Sequence, residues 1–537
     1  MHFGLGMNRV VDSIHILWPD GTFQKETQIK SNEINTLYKK KSKIEVKLNH
    51  EAPVFKEVNN TDWDKITHIE NEFVDFKRER LMLHFESTQG PRISVADVNQ
   101  DGKDDFYLVG ATNSPGSLWI QNSKGSFVKS EQEDFLLQMK TEEVASLFFD
   151  ADSDGDLDLY VVSGGNENQG ELLRDALYIN EKGKFKRKNE QLPLISKSGS
   201  CVVANDIDSD GDLDLFIGTR LVPGKFPESD ESQLLLNDGK GNFSLNQNLL
   251  PDQNQLGNIT DAVWADVDGD NQNDLIVVGE WMSPRIFYHT PNGFKESVNE
   301  KLKSKKGFWN RIVKADFNSD GLPDFAITNY GLNSQLKTPL TLFYDDFDNN
   351  GSIDPILCIT QNNEYYPYWS KDDLLSQLNS LKSKYVSYAS YASDPLKNIL
   401  NENQLREAQK IEVNTFASSI LLNMGNDEFE WSSLPTSIQM APLYGITVFD
   451  ADQDGKQDLI VGGNLFGTRA RFGRFDASKG EFLKGKGDGT FEVVSYAKSG
   501  LKIEGEVRDI VPIQLNQKPH FLIGRNNNSI KIFAIRD

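Results

Sequence analysis

The sequence predicts an all-β fold: a seven-bladed β-propeller with a small N-terminal β module and a helical insert in the fifth blade. Three observations lead there. The pattern Asp150-Ala151-Asp152-Ser153-Asp154-Gly155-Asp156-Leu157-Asp158 recurs with first residues at Asp97, Asp206, Asp266, Asp316, Asp346 and Asp450. Each copy is followed by an apolar run of strand character, as in Leu157-Asp158-Leu159-Tyr160-Val161-Val162. The copies sit in longer units that read strand, acidic loop, strand ending in Gly, polar loop, third strand ending in Asn, turn, Phe. Measured from Asp97 to Phe127, Asp150 to Phe185, Asp206 to Phe243 and Asp266 to Phe294, a unit spans about 28 to 37 residues, the period of four short strands in a propeller blade.

In chain order, residues 1–48 differ in kind from the rest. Val11-Asp12-Ser13-Ile14-His15-Ile16-Leu17-Trp18 alternates as a half-buried strand, Pro19-Asp20-Gly21 is a turn, and a second strand starts at Thr22. A small β module without catalytic residues is expected; His2 and His15 have no further ligands at a zinc spacing. Residues 49–537 are assigned to the propeller. Pro53-Val54-Phe55-Lys56-Glu57-Val58 matches the Phe-bearing fourth strands but has no unit of its own. The last unit starts at Val507-Arg508-Asp509-Ile510-Val511-Pro512-Ile513, continues through Phe521-Leu522-Ile523-Gly524 and Ile530-Lys531-Ile532-Phe533, and lacks a fourth strand. The N-terminal strand is expected to complete it, which closes the ring and protects its edges.

First strands before Asp97, Asp150, Asp206, Asp266, Asp316 and Asp450, together with the one at Val507, give seven blades. The seventh carries Leu515-Asn516-Gln517-Lys518 in place of an acidic loop. The fifth runs from Asp316 to Phe429, far beyond the period, and its excess holds the Asp346 loop and then a helical stretch over about 370–412. There Ser370 is placed to cap a helix, Asp372 and Asp373 fall in its first turn, and Leu374, Leu378 and Leu381 share one face. Tyr365, Tyr366, Tyr368, Trp369, Tyr385, Tyr388 and Tyr391 crowd the same region, either to pack the insert onto the ring or to stack a sugar.

The repeated loop has the composition of a hard-cation site. Positions 1, 3, 5 and 9 are Asp97, Asn99, Asp101 and Asp105; Asp150, Asp152, Asp154 and Asp158; Asp206, Asp208, Asp210 and Asp214. They continue as Asp266, Asp268, Asp270 and Asp274; Asp316, Asn318, Asp320 and Asp324; Asp346, Asp348, Asn350 and Asp354; Asp450, Asp452, Asp454 and Asp458. Alternate side chains of a tight loop converge, and their oxygens are the ligands that calcium takes. Position 7 is Lys103, Asp156, Asp212, Gln272, Leu322, Ser352 or Lys456, an indifference that fits a site using only the backbone carbonyl there. Position 6 is Gly in every copy but one, where Asn271 stands, and both tolerate the positive φ of a sharp turn. An EF-hand would need an acid at position 12 and helices on both sides; position 12 here is apolar throughout, from Leu108 to Val461. Calcium is therefore the expected cofactor.

Net charge is −23, and seven calcium ions would reduce it to about −9, an ordinary acidic surface. A chain of this charge is a poor binder of polyanions, so nucleic acid is not an expected partner. Cys201 and Cys358 lie in separate apolar runs and are expected to be buried free thiols. No apolar run approaches the roughly 20 residues of a membrane span, and Met1 is not followed by a signal peptide. Calcium loops of extracellular-type affinity, roughly 10⁻⁴–10⁻³ M, fill outside a cell and not in a cytosol. An extracellular or cell-surface location is expected.

Function is expected at the face opposite the acidic loops, where second strands end and first strands begin. Arg220, Trp281, Trp309, Arg474 and Arg508 are the candidates for one polar-ligand site at an axial mouth, since planar donors and indoles serve a carboxylate or a sugar. No two of the seven His share a metal spacing, and no nucleophile elbow or phosphate loop is present. The leading expectation is a binding or adhesion scaffold, stabilised by calcium, that recognises a protein or glycan. The alternative is a glycosidase or polysaccharide lyase working at the mouth, since paired acids abound.

Two resemblances accompany these readings. His2-Phe3-Gly4-Leu5-Gly6, Val11-Asp12-Ser13-Ile14-His15-Ile16 and Trp18-Pro19-Asp20-Gly21 resemble the ASPIC/UnbV module. The acidic loops with their flanking strands, over roughly residues 50–537, resemble the FG-GAP/VCBS repeats of integrin-type propellers. Together they imply a calcium-binding propeller and, because the module commonly follows a first propeller, the C-terminal part of a longer secreted protein.

Overall fold

The computed structural model describes Gly6 and residues 9–18, 23–39, 52–58 and 63–536. His2–Leu5, the Pro19–Gly21 turn and His50 lie outside the described residues. The chain parts into two compact units, Met1–Pro53 and Val54–Asp537.

In the first unit, Val10–Leu17 and Phe23–Lys30 pair antiparallel, with Val10 opposite Lys30 and Leu17 opposite Phe23. A buried glutamine organises the hairpin. Gln24 accepts from Trp18 Nε1 at 2.9 Å and donates to the Tyr38 carbonyl at 3.0 Å, so the segment after the second strand is held back against it.

The second unit consists of antiparallel sheets. Sheet one is Ile93–Ala96, Asp105–Leu108, Ser117–Gln121 and Phe127–Lys129; sheet two is Glu143–Phe149, Asp158–Ser163, Ala176–Asn180 and Phe185–Arg187. Sheet three is Gly199–Asn205, Asp214–Thr219, Gln233–Leu236 and Ser244–Asn246; sheet four is Asn258–Ala265, Asp274–Met282, Arg285–Thr290 and Gly293–Glu296, with Gly307–Phe308 added to its second strand. Sheet five takes Ile312–Ala315 and Asp324–Ile327, then resumes with Ser419–Asn423 and Phe429–Ser433; sheet six is Leu443–Phe449, Asp458–Gly463, Glu481–Gly485 and Phe491–Val494. Sheet seven joins the two ends of the unit, Phe55–Glu57 lying beside Lys531–Ile535, then Lys518–Arg525, then Val507–Leu515. First strands neighbour one another from sheet one to sheet seven in order, and the first strand of sheet seven returns to that of sheet one.

Burial explains the repeated residues. Phe127, Phe185, Phe243, Phe294, Phe429 and Phe491 all bury their rings at or beside the fourth strands. Phe55 does the same in sheet seven, within ring contact of Phe449, Phe482 and Phe521 at 5.1–6.0 Å. Second strands such as Asp158–Ser163 are buried at every residue, which is why they read as unbroken apolar runs after their first Asp.

The excess of the fifth unit is more than helical. Short helices Lys371–Gln377, Tyr388–Ala392, Leu396–Ile399 and Glu402–Glu407 are present, with Ser370 Oγ accepting from Asp373 N at 3.1 Å. They are framed by a separate four-stranded sheet of Glu364–Pro367, Ile356–Gln361, Leu340–Tyr344 and Gln409–Val413, which the sequence reading did not anticipate. The Asp346 loop therefore belongs to this inserted sheet. Trp369, Tyr385 and Tyr391 are buried in one large core with Leu374 and Leu378, whereas Tyr388 is exposed; most of the aromatic cluster is packing.

Cys201 and Cys358 are free and buried, and burial pushes the Cys201 thiol up to about 12. The thiolate is the reactive form, so a disulfide-exchange reagent is expected to label neither thiol in the folded protein and both in guanidinium. Rapid labelling under native conditions would contradict this packing.

Candidate functional site

The acidic loops share one construction. The carboxylate at position 1 turns inward to accept the backbone N–H groups of positions 5 and 6, except that Asp206 takes only that of Gly211: Asp97 accepts from Asp101 and Gly102 at 3.0 and 2.7 Å, Asp450 from Asp454 and Gly455 at 3.1 and 2.8 Å. Position 6 takes positive φ in every copy, including Asn271 at 68°. A Cβ at Gly102, Gly155, Gly211, Gly321, Gly351 or Gly455 would meet none of the described residues within 4 Å; glycine serves there through its backbone freedom. Position 4 is left-handed too, at Gln100, Ser153, Ser209, Ser319, Asn349 and Gln453, which the sequence did not signal.

These residues fit a hard cation. Oxygens of Asp150, Asp152 and Asp158 lie within 4.8 Å of one another, as do those of Asp206, Asp208 and Asp210, of Asp266, Asp268 and Asp274, and of Asp346, Asp348 and Asp354. Asp152 Oδ1, Asp206 Oδ1, Asp212 Oδ1 and Asp348 Oδ1 are buried with no hydrogen-bond donor among the described residues. Two loops are partly compensated by lysine: Lys103 Nζ stands 2.7 Å from Asp101, and Lys484 pairs with Asp452.

Position 9 has a second role. Each of its oxygens already accepts one N–H. Asp158 takes Ala151 N at 2.8 Å and Asn180 N at 2.7 Å; Asp214 takes Ile207 N and Asn237 N, both at 2.8 Å. The pattern repeats at Asp105, Asp274, Asp324 and Asp458, and at Asp354 with Gln377 Nε2 as the second donor. A carboxylate oxygen keeps a lone pair after one such bond, so the staple and the cation are compatible. Burial raises Asp105 and Asp158 to about 7 and Asp214, Asp274, Asp324 and Asp354 to about 6. The residue ending the third strand then ties sheets together. Asn180 Nδ2 donates to Leu157 O of its own loop and Val98 O of the preceding one; Asn237 does so to Leu213 and Ala151. Asn423 reaches Val267, and Gln121 reaches Gln514 of sheet seven.

The axial mouth is covered. Residues 63–92 run from the strand Phe55–Glu57 to the first strand of sheet one as a strap across it. Asn166 donates to Asp75 at 2.8 Å, Phe226 N to Glu79 at 2.7 Å, Arg469 Nε to Met82 O at 2.8 Å and Asn526 to Gly90 O at 2.7 Å. Beneath it lies a cavity of about 30 Å³, room for about two waters. Arg220 and Arg508 line it with Arg92, Arg311, Glu86 and Tyr444. Arg220 is held between Glu86 and Glu280 at 2.7 Å each, Arg92 pairs with Asp261 and Arg311 with Asp509. Arg508 gives Nη2 to Glu506 at 3.0 Å and lies 4.2 Å over the Tyr444 ring, while its Nε and Nη1 have no hydrogen-bond partner among the described residues. His84 joins the knot 3.4 Å from Glu86 and 3.6 Å from Glu280, and burial holds it below the ordinary histidine range. His84, Glu86 and Glu280 have a metal-like spacing, but Arg220 already bridges the two carboxylates.

The other three candidates lie elsewhere. Trp281 packs edge-on against Phe308 at 4.7 Å in the large core. Trp309 is wholly buried, donates to Met282 O at 2.9 Å and stacks on Trp431 at 5.5 Å. Indoles with this much apolar area are taken up by the spaces between sheets. Arg474 is exposed over Phe466 at 5.0 Å, on a loop closed by the pairing of Leu465 with Phe475.

Four-stranded antiparallel sheets following one another with acidic loops at their first turn define the β-propeller class. The model of the FG-GAP-like repeat matches residues 97–161, 150–217 and 266–327, and that of ASPIC and UnbV matches residues 1–44. The chain carries FG-GAP-like repeats and an ASPIC/UnbV module. Among curated proteins, none matches the chain. Similar solved structures include the V. cholerae biofilm matrix protein Bap1, at 12% identity and TM-score 0.36 over 90% of this chain and 92% of that one. BBS1N in complex with ARL6DN follows at 10% identity and 0.42 over 90% and 98%, and YCF48 bound to D1 peptide at 8% and 0.41 over 91% and 98%.

Proposed function

We propose that the chain is a seven-bladed propeller, stabilised by calcium, that acts outside the cell as a binding or adhesion scaffold for a protein or glycan partner. The observation that carries the reading is the recurrence of one acidic loop construction on sheets one to six and again in the insert. Residues Asp97 to Asp105 and their counterparts would hold the ions, which supply charge neutralisation and fix the turns. The staple at position 9 orders each loop, and the Asn180, Asn237, Asn423 and Gln121 ties pass that order between neighbouring sheets at four places in the ring. Turnover at the mouth is disfavoured by size: pockets for small organic ligands run about 300–1,000 Å³, against about 30 Å³ under the strap. Partner recognition then belongs to outer surfaces, among them the exposed apolar run of Leu136, Leu137 and Met139.

A glycan array probed with the calcium-loaded chain, followed by mass analysis of the retained glycans, tests the reading. Retention without cleavage, abolished by chelator, is the expected result. New reducing or unsaturated ends would replace the scaffold with the glycosidase or lyase alternative.

A further inference from the structure

A second charge cluster outside the loops is a group of three glutamates with buried carboxylate oxygens. Glu70 stands on the strap, Glu142 immediately before the first strand of sheet two, and Glu167 shortly after its second strand. Each commits one oxygen to a donor. Glu70 Oε1 accepts from Asn526 Nδ2, Glu142 Oε2 from Thr112 N at 2.9 Å, and Glu167 Oε1 from Thr112 Oγ1 at 3.0 Å and Asn71 Nδ2 at 3.1 Å. The opposite oxygens, Glu70 Oε2, Glu142 Oε1 and Glu167 Oε2, are all buried and meet no donor among the described residues. Glu142 is wholly buried and the Glu70 side chain is 5% exposed.

Three further facts bring them to one place. Thr112 bridges Glu142 and Glu167 through the bonds just given. Asn71, next to Glu70 on the strap, reaches Glu167 Oε1 at 3.1 Å. Gly165, at φ 77°, keeps the gap open: a Cβ there would lie 2.8 Å from Glu167 Oε2 and 2.9 Å from Glu142 Cγ. No direct ion pair neutralises them among the described residues. Among the described residues no Lys or Arg comes within ion-pair distance of any of the three, and the nearest basic group is His68, 3.9 Å from Glu70 and held neutral by burial. Arg508, whose charge acts on Glu70, forms no ion pair with it: its Nη2 is on Glu506 and its face on Tyr444. Buried carboxylates are paired, protonated or bound to metal. This is the opposite of the His84–Glu86–Glu280 knot, where Arg220 already occupies the centre.

We propose that Glu70, Glu142 and Glu167 form a divalent-cation site, separate from the aspartate loops, that takes calcium and ties the strap to sheet two. The donor set is three anionic oxygens, with the Thr112 hydroxyl beside them and waters to complete the six to eight oxygens of a calcium shell. Because the site spans the strap, filling it would fix residues 63–92 over the mouth.

The test is a calcium titration of the chelator-stripped full chain by calorimetry, with Glu70→Gln/Glu142→Gln beside the wild type. The double variant is expected to bind one calcium fewer, and calcium is expected to stop protecting residues 63–92 from limited proteolysis. Every aspartate loop is untouched, so failure of the loops to bind would leave this difference of one readable. If the double variant does not fold, Glu167→Gln alone is titrated, with the same expected loss of one ion. Equal stoichiometry in variant and wild type would overturn the proposal. So would a glutamine variant that melts higher than wild type in calcium, since that is the behaviour of carboxylates that share protons instead of a metal.

Discussion

Stripped of calcium by chelator, the protein is expected to melt far below its calcium-loaded form. A ligand that binds only the folded state stabilises it by RT ln(1 + [L]/Kd), about 2.7 kcal/mol per site at a hundredfold excess over Kd. With a loop on sheets one to six and another in the insert, even partial filling makes this the largest single lever on stability. The loops need not respond equally. Asp206 Oδ1 and Asp212 Oδ1 in the loop of sheet three are buried without a donor among the described residues, whereas Lys484 already pairs with Asp452 in that of sheet six. Asp206→Asn is therefore expected to remove more of the calcium-dependent rise in Tm than Asp450→Asn. Differential scanning calorimetry with EDTA and with millimolar calcium measures both. Identical Tm values in the two conditions would remove calcium from the account altogether.

Repetition made the fold legible. Seven copies of one loop set the strand positions, and the lone Phe55 strand was assignable because the last unit stopped one strand short. What repetition could not reveal was whatever occurs once. The inserted sheet was missed because Leu340–Tyr344 and Ile356–Gln361 flank an acidic loop and so read as part of the fifth unit, while Glu364–Pro367 and Gln409–Val413 are short and polar. The strap was invisible for a related reason: residues 63–92 hold only brief helical turns, and their contacts are scattered over sheets two, three, six and seven.

The candidate mouth divides along the same line. Arg220 and Arg508 were placed by counting strand ends, and strand geometry puts them at one cavity. Trp281 and Trp309 occupy equivalent strand-end positions, but large apolar rings are drawn into the spaces between sheets. Glu142 gave no signal, because an acid before a strand is commonplace; only its burial, and the empty side of its carboxylate, mark it out. Position 9 was legible as an acid and not as a staple, since its second partner comes from far along the chain: a backbone N–H at the end of the third strand, or Gln377 Nε2 for Asp354.

Removing residues 1–48 is expected to leave the second unit folded, whereas removing residues 1–60 is expected to unfold sheet seven and cause aggregation. The first deletion lies within Met1–Pro53, which forms a compact unit of its own. The second takes away the strand Phe55–Glu57, whose residues face Ile535, Ala534 and Phe533. It also removes the bonds from Val58 N to Ile532 O and from Arg536 N to Val54 O, leaving Lys531–Ile535 as an open edge. Unpaired edges template association with other chains. The side-chain loss is as large: Phe55 is 1% exposed and meets Phe449, Phe482 and Phe521, and emptying such a position costs about 3–5 kcal/mol. Phe55→Ala in the full chain separates the two contributions, since it keeps the backbone ladder and opens only the cavity. It should lower Tm in calcium while leaving the protein monomeric by light scattering, whereas the 1–60 deletion should do both. If the two deletions prove equally stable and equally soluble, the N-terminal strand does not close the ring.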